Sequence, residues 1–506
     1  MTQDTDGQGA AGTVEMSRYM NGIETSMWRA EVDPRLRSTV CGLLILDQAP
    51  DWDRLCEAHE WSSRVVRRFR QRVVDPAFGL GSPVWVTVPS IDMAYHLRRV
   101  HLPEPGTDQQ LLELVQGVAM RPLDRARPLW EALLIEGLED GKAAYFLKSH
   151  HSITDGLGSI QLMPLLFNRS RELRESRPEP PPPLPAEETS PLAEAIDQTA
   201  SSLMRAPGQA LRVAGRLIEA LREPEHTLDE GLSLVQGLNR AAESAGPGSP
   251  LLAKRSLAWR FLTHQVPLAD LRAASKAHGN SVNDAYLAGV LGGLRRYHEH
   301  FGVVVDTIPM SIPVSVRSAK DQEGGNKFSG IRFPAPVAEP DPVRRMALVR
   351  KQVRRGTSDL IDIGGMLSPL VNRLPAQLLA RASASLTAGN DVQASNVPGI
   401  PYPVFLSGAQ VLRIYPFGPL PGCGVMVTML SHNGTCCIGV NVDAAAVTDP
   451  ELFQRCLVEG FDEVIAVGAQ APAKATARKT ARKAPAKKAR RSSPSRTGRT
   501  RSTSAE

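Results

Sequence analysis

The sequence contains few cysteines and no pattern that would pair them. Only six occur among 506 residues, and no two show the C-x-x-C spacing of zinc-binding or redox motifs. A disulfide-stabilised secreted scaffold is therefore not expected, and we predict reduced, mostly buried thiols in a cytosolic protein. The adjacent pair Cys436-Cys437 lies in an apolar run and is expected to pack in the core.

The sequence also lacks a membrane-spanning segment. Its long uncharged stretch, 414–442, is interrupted by several Pro and Gly residues and by His432-Asn433-Gly434, which cannot sustain a spanning helix. The first thirteen residues are polar and acidic, so we expect no signal peptide. Any contact with lipid is therefore expected to occur at the protein surface.

No glycine-rich phosphate loop, zinc-ligand spacing or dinucleotide-binding pattern occurs, so we expect neither a metal nor a bound cofactor. His298 and His300 lie two apart on a predicted helix and do not share a face. We interpret them as solvated surface side chains.

Charge is distributed unevenly along the chain. The formal net charge is +6, but residues 471–506 hold twelve of the 59 Lys and Arg and one of the 53 acids. The remainder therefore has 47 basic and 52 acidic residues, a net charge of −5. The Lys, Arg and Ala-rich tail cannot build a core and is expected to be disordered. Three uses stay open for it: binding anionic lipid, weak non-specific binding of nucleic acid, or keeping the protein soluble.

Length and composition predict more than one folding unit, because 506 residues exceed what a single core usually supports. Proline-rich residues 177–191 and the break at 246–250 separate two regions in which strand and helix patterns alternate. We divide the chain into an N-terminal half (1–177), a linker and helical crossover (178–250), a C-terminal half (251–470) and the tail (471–506).

Local patterns predict the individual elements of a mixed α/β fold. Thr107 and Gln110 form a capping-box pattern before an apolar helix, and Asn433-Gly434 is a typical hairpin turn. Strands are predicted at 39–46, 85–88, 131–138, 142–149, 256–262, 311–317, 424–430 and 435–442. Helices are predicted at 51–74, after Thr107, at 156–167, near Pro267 and at 285–295.

The most distinctive stretch is Tyr145 to Gly156, where an apolar run leads to two adjacent histidines and then to an Asp-Gly pair. Adjacent side chains on a strand point to opposite faces, so one ring can face a cavity while the other packs behind it. This geometry argues against a shared metal. It suits a single imidazole that accepts a proton and returns it.

The motif His-His-x-x-x-Asp-Gly at 150–156, with Pro-Leu-Trp at 128–130, resembles the bacterial wax ester synthase/acyl-CoA:diacylglycerol acyltransferase family. Blocks around Asn283-Asp284, Gly325-Asn326 and 392–399 resemble the same family in the same order, over roughly residues 20–465. The segment 17–27 matches it poorly. The resemblance implies two chloramphenicol-acetyltransferase-like halves facing each other across a central tunnel.

The resemblance also implies roles for the motif residues. His151 would take the proton from an acceptor hydroxyl, which then attacks an acyl-CoA thioester without an acyl-enzyme. His150 could be a second base, but the alternation of side chains on the strand favours a supporting role for it. Asp155 would pair with an arginine, for which Arg317 is a candidate, and hold the loop. Gly156 would allow a backbone conformation that a Cβ would block.

Further residues have both a structural and a functional interpretation. Asn283 and Asp284 can cap a helix or bind substrate. Trp130 is expected in the core, and the apolar stretch 361–386, with Leu370 and Leu374, is core, tunnel wall or a lipid-facing patch. The expected tunnel-wall and substrate-binding residues in the last block are Ser395, Asn396, Pro398 and Gly399.

The implied activity is transfer of a long-chain acyl group from acyl-CoA, a substrate rather than a cofactor, to diacylglycerol or to a fatty alcohol. The products would be triacylglycerol or wax ester, and the sequence does not separate them. The alternatives are condensation on another acceptor, or an inactive relative that binds lipid and tethers droplets. We expect a cytoplasmic protein at the inner membrane face or on lipid droplets.

Overall fold

The computed structural model describes residues 16–154, 165–172, 177–205, 246–315, 326, 328–358 and 376–470. Apolar runs and alternating patterns in these ranges form the strands, and amphipathic segments form the helices. The helices are α1 (Gly22–Ala30), α2 (Trp52–Val65), α3 (Met93–His96), α4 (Asp108–Ala119), α5 (Pro191–Arg205), α6 (Leu268–Ala277), α7 (Val282–His300), α8 (Pro342–Ser358), α9 (Ala376–Ala388) and α10 (Pro450–Gln470). Short 3₁₀ turns occur at Pro34–Leu36, Arg67–Arg70, Ala77–Gly79 and Glu139–Gly141.

The strands form two large sheets and one small one. They are β1 (Thr39–Leu46), β2 (Gln71–Val74), β3 (Val84–Thr87), β4 (Leu97–His101), β5 (Trp130–Glu136), β6 (Ala143–His150), β7 (Phe167–Asn168), β8 (Trp259–Pro267), β9 (Ile308–Ser315), β10 (Phe328–Ala335), β11 (Val392–Val397), β12 (Phe405–Leu406), β13 (Ala409–Phe417), β14 (Val425–His432) and β15 (Thr435–Asp443). The sheet orders are β4-β5-β6-β1-β13-β12-β7, β10-β9-β11-β14-β15-β8 and β2-β3.

The first sheet positions the histidine motif. β6 runs antiparallel to β1, with Thr39 opposite His150, and antiparallel to β5, as the predicted strand pair requires. Trp130, at the start of β5, is buried in the core, which confirms its interpretation. The sequence did not predict that β13, from late in the chain, pairs with β1 on its other side.

The second sheet contains the predicted hairpin of β14 and β15, which confirms the Asn433-Gly434 turn. Both turn residues have positive φ, 42° and 83°, a combination that suits Asn followed by Gly. Helices α7 and α10 pack together in one hydrophobic core with this sheet, where Leu291 and Phe461 are fully buried.

The predicted helix at 51–74 is wrong in its second half. The helix ends at Val65 and is followed by the turn Arg67–Arg70 and by β2. Val73 and Val74 are buried, and β2 pairs with the apolar β3 in the small sheet. Strand pairing of β-branched residues therefore prevailed over the helical pattern.

The surface interpretation of His298 is also wrong. Helix α7 continues to His300, which puts His298 one turn after Leu294 on the buried face, with 2% exposure. Its Nδ1 lies 2.7 Å from the Leu294 carbonyl oxygen and its Nε2 2.7 Å from Oγ of Ser249. Burial lowers the pKa of this histidine. His300 is exposed, as predicted.

The predicted capping box of Thr107 and Gln110 at α4 is confirmed, as are buried Cys436 and Cys437. All six cysteines are free thiols. Within the described ranges, no helix is both long and apolar enough to cross a bilayer. Several predictions lie outside the described residues: the helix predicted at 156–167 as far as residue 164, Arg317, Leu370, Leu374 and the tail at 471–506. The end of that predicted helix is wrong, because Phe167 begins β7.

Candidate active site

The histidine pair lies where β6 ends, between the first residues of two neighbouring strands. The backbone N–H of His150 donates to the Leu129 carbonyl oxygen at 3.0 Å. The N–H of His151 donates to the Ser38 carbonyl oxygen at 2.7 Å. His150 is buried and His151 is half-buried. The backbone of both residues is therefore fixed by the sheet, and their side chains occupy different environments, as strand alternation predicts.

His150 packs inside the protein against charged and aromatic neighbours. Its Nδ1 accepts from Ser152, whose hydroxyl lies at 2.6 Å and whose backbone N–H lies at 3.1 Å. Its Nε2 lies 3.1 Å from Oε1 of Glu31. The edge of the ring meets the Trp28 indole at a centroid distance of 5.7 Å. These contacts make His150 a buried, structurally engaged residue.

Glu31 is a half-buried carboxylate at the C-cap of α1. Burial by itself would raise the pKa of Glu31. Attraction to His150, the Ser38 N–H at 2.7 Å and the Arg125 guanidinium at 3.3 Å together lower the pKa of Glu31 to about 2. The carboxylate is therefore ionised at neutral pH. The Arg125 guanidinium also lies over the Trp28 ring, 4.0 Å from its centroid. It therefore contacts both neighbours of the His150 ring, Glu31 and Trp28.

The ring of His151 contacts a residue that is distant in sequence. Its Nδ1 lies 3.0 Å from Oδ1 of Asn326, while Nδ2 of Asn326 donates to the His151 carbonyl oxygen at 2.9 Å. Asn326 is 1% exposed. One buried carboxamide thus holds both the ring and the backbone of the half-buried histidine.

Asn326 is in turn held by the N-terminus of α1. Its backbone N–H donates to Oε1 of Glu24 at 3.1 Å, and its carbonyl oxygen accepts from Nδ2 of Asn21 at 3.0 Å. Asn21 and Glu24 also form the capping box of α1. The helix cap and the candidate catalytic histidine are therefore parts of one hydrogen-bonded cluster.

The predicted Asn-Asp pair lies at the start of α7. The N-cap is Ser281, one turn earlier than Asp284, and neither predicted residue is the cap. The carboxylate of Asp284 is buried and accepts from the Ser281 N–H at 2.8 Å, which gives it a structural use. Asn283 has its Oδ1 3.3 Å from Nδ2 of the exposed Asn396.

The last predicted block begins inside β11, which pairs with β14, and continues past its end. Ser395 pairs with Thr428, and Pro398 is exposed. The N–H of Gly399 donates to Oγ of Ser431 at 3.3 Å. A Cβ on Gly399 would lie 1.8 Å from the Ser431 carbonyl oxygen, so only glycine fits there. The structure brings Asn283 and Asn396 together, as it does His151 and Asn326. Asp155 and Gly156 lie outside the described residues.

A cleft of about 180 Å³ opens near the start of β1. Leu36 lines it two residues before Ser38, which receives the His151 amide. Trp259 and Leu420 line it from the later part of the chain, together with polar and charged side chains. Small-molecule sites usually measure about 300–1,000 Å³, so this cleft by itself does not hold a long-chain donor.

Sequence reasoning missed three residues of the cluster around the histidine pair. These residues are Glu24, Glu31 and Ser38. The Asn21-x-x-Glu24 spacing is a capping-box signal and could have marked the start of α1. Asn326 was noticed only as part of a Gly-Asn block, and nothing near it in sequence points to His151.

The fold is shared with solved enzymes of acyl transfer and condensation. The wax ester synthase/diacylglycerol acyltransferase from Marinobacter aquaeolei VT8 superposes with a TM-score of 0.60 at 21% identity, covering 89% of this chain and 100% of that one. The first condensation domain of the calcium-dependent antibiotic synthetase superposes with a TM-score of 0.56 at 16% identity, covering 91% and 98%. The predicted class, a mixed α/β fold of the chloramphenicol-acetyltransferase type, is confirmed.

Sequence comparison gives the family. Residues 16–286 match the wax ester synthase/diacylglycerol acyltransferase catalytic domain, and residues 324–464 match the C-terminal domain of the same family. A putative diacylglycerol O-acyltransferase of Mycobacterium tuberculosis H37Rv is 40% identical over 467 residues, covering 90% of this chain and 94% of that protein. The chain therefore belongs to the wax ester synthase/diacylglycerol acyltransferase family and is an acyl-CoA-dependent O-acyltransferase.

Proposed function

We propose that the chain transfers a long-chain acyl group from acyl-CoA to the free hydroxyl of diacylglycerol, with a fatty alcohol as the second acceptor. The similarity to a relative named as a diacylglycerol O-acyltransferase supports this choice of acceptor. The observation that carries the chemistry is the half-buried ring of His151 at a strand end, with Nδ1 on Asn326.

His151 acts as the general base in this proposal. Its Nε2 takes the proton of the acceptor hydroxyl while the alcohol oxygen attacks the thioester carbonyl carbon. The tetrahedral intermediate then collapses, the carbon–sulfur bond breaks, and the imidazolium returns the proton to the departing CoA sulfur. No acyl-enzyme forms. A base positioned in this way contributes about 10²–10⁴-fold to the rate, and substrate positioning contributes the remainder.

The other predicted residues support this reaction without exchanging protons. The paired amides of Asn283 and Asn396 can donate hydrogen bonds to a substrate carbonyl or hydroxyl, since they lie together at an exposed position. Gly399 keeps the end of β11 close to β14.

The test is acyl transfer by the purified full chain from labelled palmitoyl-CoA to diacylglycerol, hexadecanol, a short soluble alcohol and a short amine. We expect triacylglycerol as the main product and loss of at least about 10²-fold in kcat for His151→Ala. His278→Ala, on an exposed loop, is the matched control and should retain full activity. Full turnover by the His151 variant would refute the mechanism. Transfer only to an amine would favour condensation, and binding of lipid without transfer by the wild type would favour an inactive relative.

We further propose that the protein works in the cytoplasm, at the inner membrane face or on lipid droplets. The proposed acceptors are insoluble, and the twelve basic residues of 471–506 can each contribute about 1 kcal/mol near an anionic membrane. Deleting 471–506 should weaken salt-sensitive binding to vesicles containing phosphatidylglycerol. An equal loss of binding to duplex DNA would instead indicate a non-specific nucleic-acid function for the tail.

A further inference from the structure

The orientation of the Asn326 carboxamide is determined by its neighbours. Nδ2 of Asn326 lies 2.9 Å from the His151 carbonyl oxygen and 3.4 Å from Oε1 of Glu24. Both neighbours, a backbone carbonyl oxygen and a carboxylate oxygen, accept hydrogen bonds, so the NH₂ group must face them. The amide oxygen then faces the ring of His151. Because a carboxamide oxygen only accepts, Nδ1 of His151 must carry the hydrogen.

Glu24 is positioned firmly enough to impose this orientation. The residue is 2% exposed. Its Oε2 accepts from the Asn21 N–H at 3.2 Å, and its Oε1 accepts from the Asn326 N–H at 3.1 Å. The carboxylate is thus held from two sides by backbone donors. Rotation of the Asn326 amide would turn its oxygen towards this carboxylate, which is unfavourable.

We propose that Asn326, oriented by Glu24, is a positioning residue that holds His151 as the Nδ1–H tautomer. This arrangement makes Nε2 the nitrogen that accepts a proton. The assignment of the tautomer rests on the geometry alone, and its use in catalysis rests on the proposed function. Glu24 does not contact the His151 ring in this scheme; it acts on the ring indirectly, by orienting the Asn326 amide.

Asn326 is a neutral carboxamide, and this absence of charge also affects the His151 ring. A carboxylate beside a histidine stabilises the imidazolium, whereas a carboxamide orients the ring without adding a full negative charge. Glu31 faces His150, and the partner seen at Nδ1 of His151 is neutral. The ring of His151 is therefore oriented at Nδ1 by a neutral carboxamide, whereas the ring of His150 lies beside a carboxylate.

The direct test is ¹⁵N NMR of the full chain labelled at histidine. The pattern of two-bond ¹H–¹⁵N couplings identifies which ring nitrogen is protonated, and His151→Gln assigns the His151 signals by their absence. We expect the Nδ1–H pattern in the wild type and its loss in Asn326→Leu. Asn441→Leu removes another buried carboxamide, which donates to the Gly418 carbonyl oxygen, and should leave the His151 signals unchanged. An Nε2–H pattern in the wild type, or an unchanged pattern in Asn326→Leu, would overturn the proposal.

Kinetics provide a second readout that a purely structural role would not produce. Asn326→Leu should lower kcat by about 10–100-fold with little change in KM for acyl-CoA. The double variant Glu24→Gln/Asn326→Asp restores an acceptor at Nδ1 without setting two carboxylates side by side. It should recover part of the activity, because the second carboxylate oxygen then faces the His151 carbonyl oxygen, and the acidic limb of the pH profile should move upward by about one unit or more. An unmoved acidic limb would contradict the proposed contact.

These readouts separate the two proposals. If the wild type transfers no acyl group but shows the expected tautomer and its loss in Asn326→Leu, the proposed function fails and the positioning role stands. If Asn326→Leu does not fold, the double variant carries the test, because it keeps polar groups at both positions.

Discussion

The carboxylate of Glu31 lies 3.1 Å from Nε2 of the buried His150. Glu31 is the C-cap of α1, and His150 is the last residue of β6, so this contact joins the first helix to the strand that presents the histidine pair. Ser38, whose N–H donates to Glu31, also accepts the N–H of His151 through its carbonyl oxygen. The position of the His151 backbone therefore depends, through Ser38, on the contact between Glu31 and His150.

Replacing Glu31 by Gln should destabilise the fold in a pH-dependent manner. The pKa of Glu31 is lowered from about 4.5 to about 2, so its charge stabilises the folded state fully above pH 4.5. That contribution is lost as the pH falls towards 2, and it amounts to roughly 3 kcal/mol at most. Urea unfolding should show the largest difference between wild type and Glu31→Gln at pH 7 and a smaller one at pH 3.5. A difference that grows on acidification would contradict this account.

A second pH effect should come from His59, which is buried in the first half. Its Nδ1 lies 2.8 Å from the Leu55 carbonyl oxygen and its Nε2 2.7 Å from the Tyr145 hydroxyl. Burial lowers the pKa of His59 from 6.5 to about 4. The unfolded chain thus binds a proton more readily, and stability present above pH 6.5 is lost as the pH falls to 4, by about 3 kcal/mol.

The variant His59→Gln should be less stable at pH 7, because glutamine fits the two partners less well. It should, however, lose less stability than the wild type between pH 7 and pH 4. Urea midpoints at pH 7 and pH 4 measure this slope, the change in the free energy of unfolding with pH. The exposed control His278→Gln should keep the wild-type slope, and an unchanged slope in His59→Gln would show that another group is responsible.

The strand that ends in the histidine pair and the hairpin of β14 and β15 could be predicted from sequence because their signals are local. The apolar run before His150 and the Asn433-Gly434 turn each act within about ten residues. Strand β1 was predicted with the same bounds as it has in the structure, Thr39–Leu46. The motif itself pointed to the correct family.

The rest of the site depends on contacts between distant residues. His151 and Asn326 are 175 positions apart, and β13 pairs with β1 across most of the chain. A buried asparagine has no sequence periodicity that could reveal its partner. The helix error at 51–74 has a related cause, because the pairing of β2 with β3 is a tertiary contact that overrides local propensity.

The close contact at Gly399 predicts a strong effect on activity. A Cβ there would lie 1.8 Å from the carbonyl oxygen of Ser431, a backbone atom that moves only with its strand. Gly399→Ala should therefore shift the end of β11 and separate Asn396 from Asn283. We expect kcat/KM to fall by roughly 10²-fold, as for a misplacement of about 1 Å near reacting groups. Gly330→Ala in β10, where a Cβ meets no atom within 4 Å, should keep wild-type kinetics. Equal kinetics of the two variants would exclude a positioning role for this end of β11.

The contact between α7 and α10 also depends on glycine. A Cβ on Gly460 would lie 2.4 Å from the backbone nitrogen of Gly293 and 2.5 Å from the carbonyl oxygen of Gly289. Neither atom can yield without separating the helices, so Gly460→Ala should destabilise the fold by about 1–3 kcal/mol. Gly117→Ala is the matched control, since it adds the same methyl group to α4 with no atom within 4 Å. It should instead stabilise the fold by about 0.5–1 kcal/mol, because alanine favours the helix. Urea unfolding of both variants measures the contrast, and identical midpoints would mean that the two helices tolerate a wider separation than this packing implies.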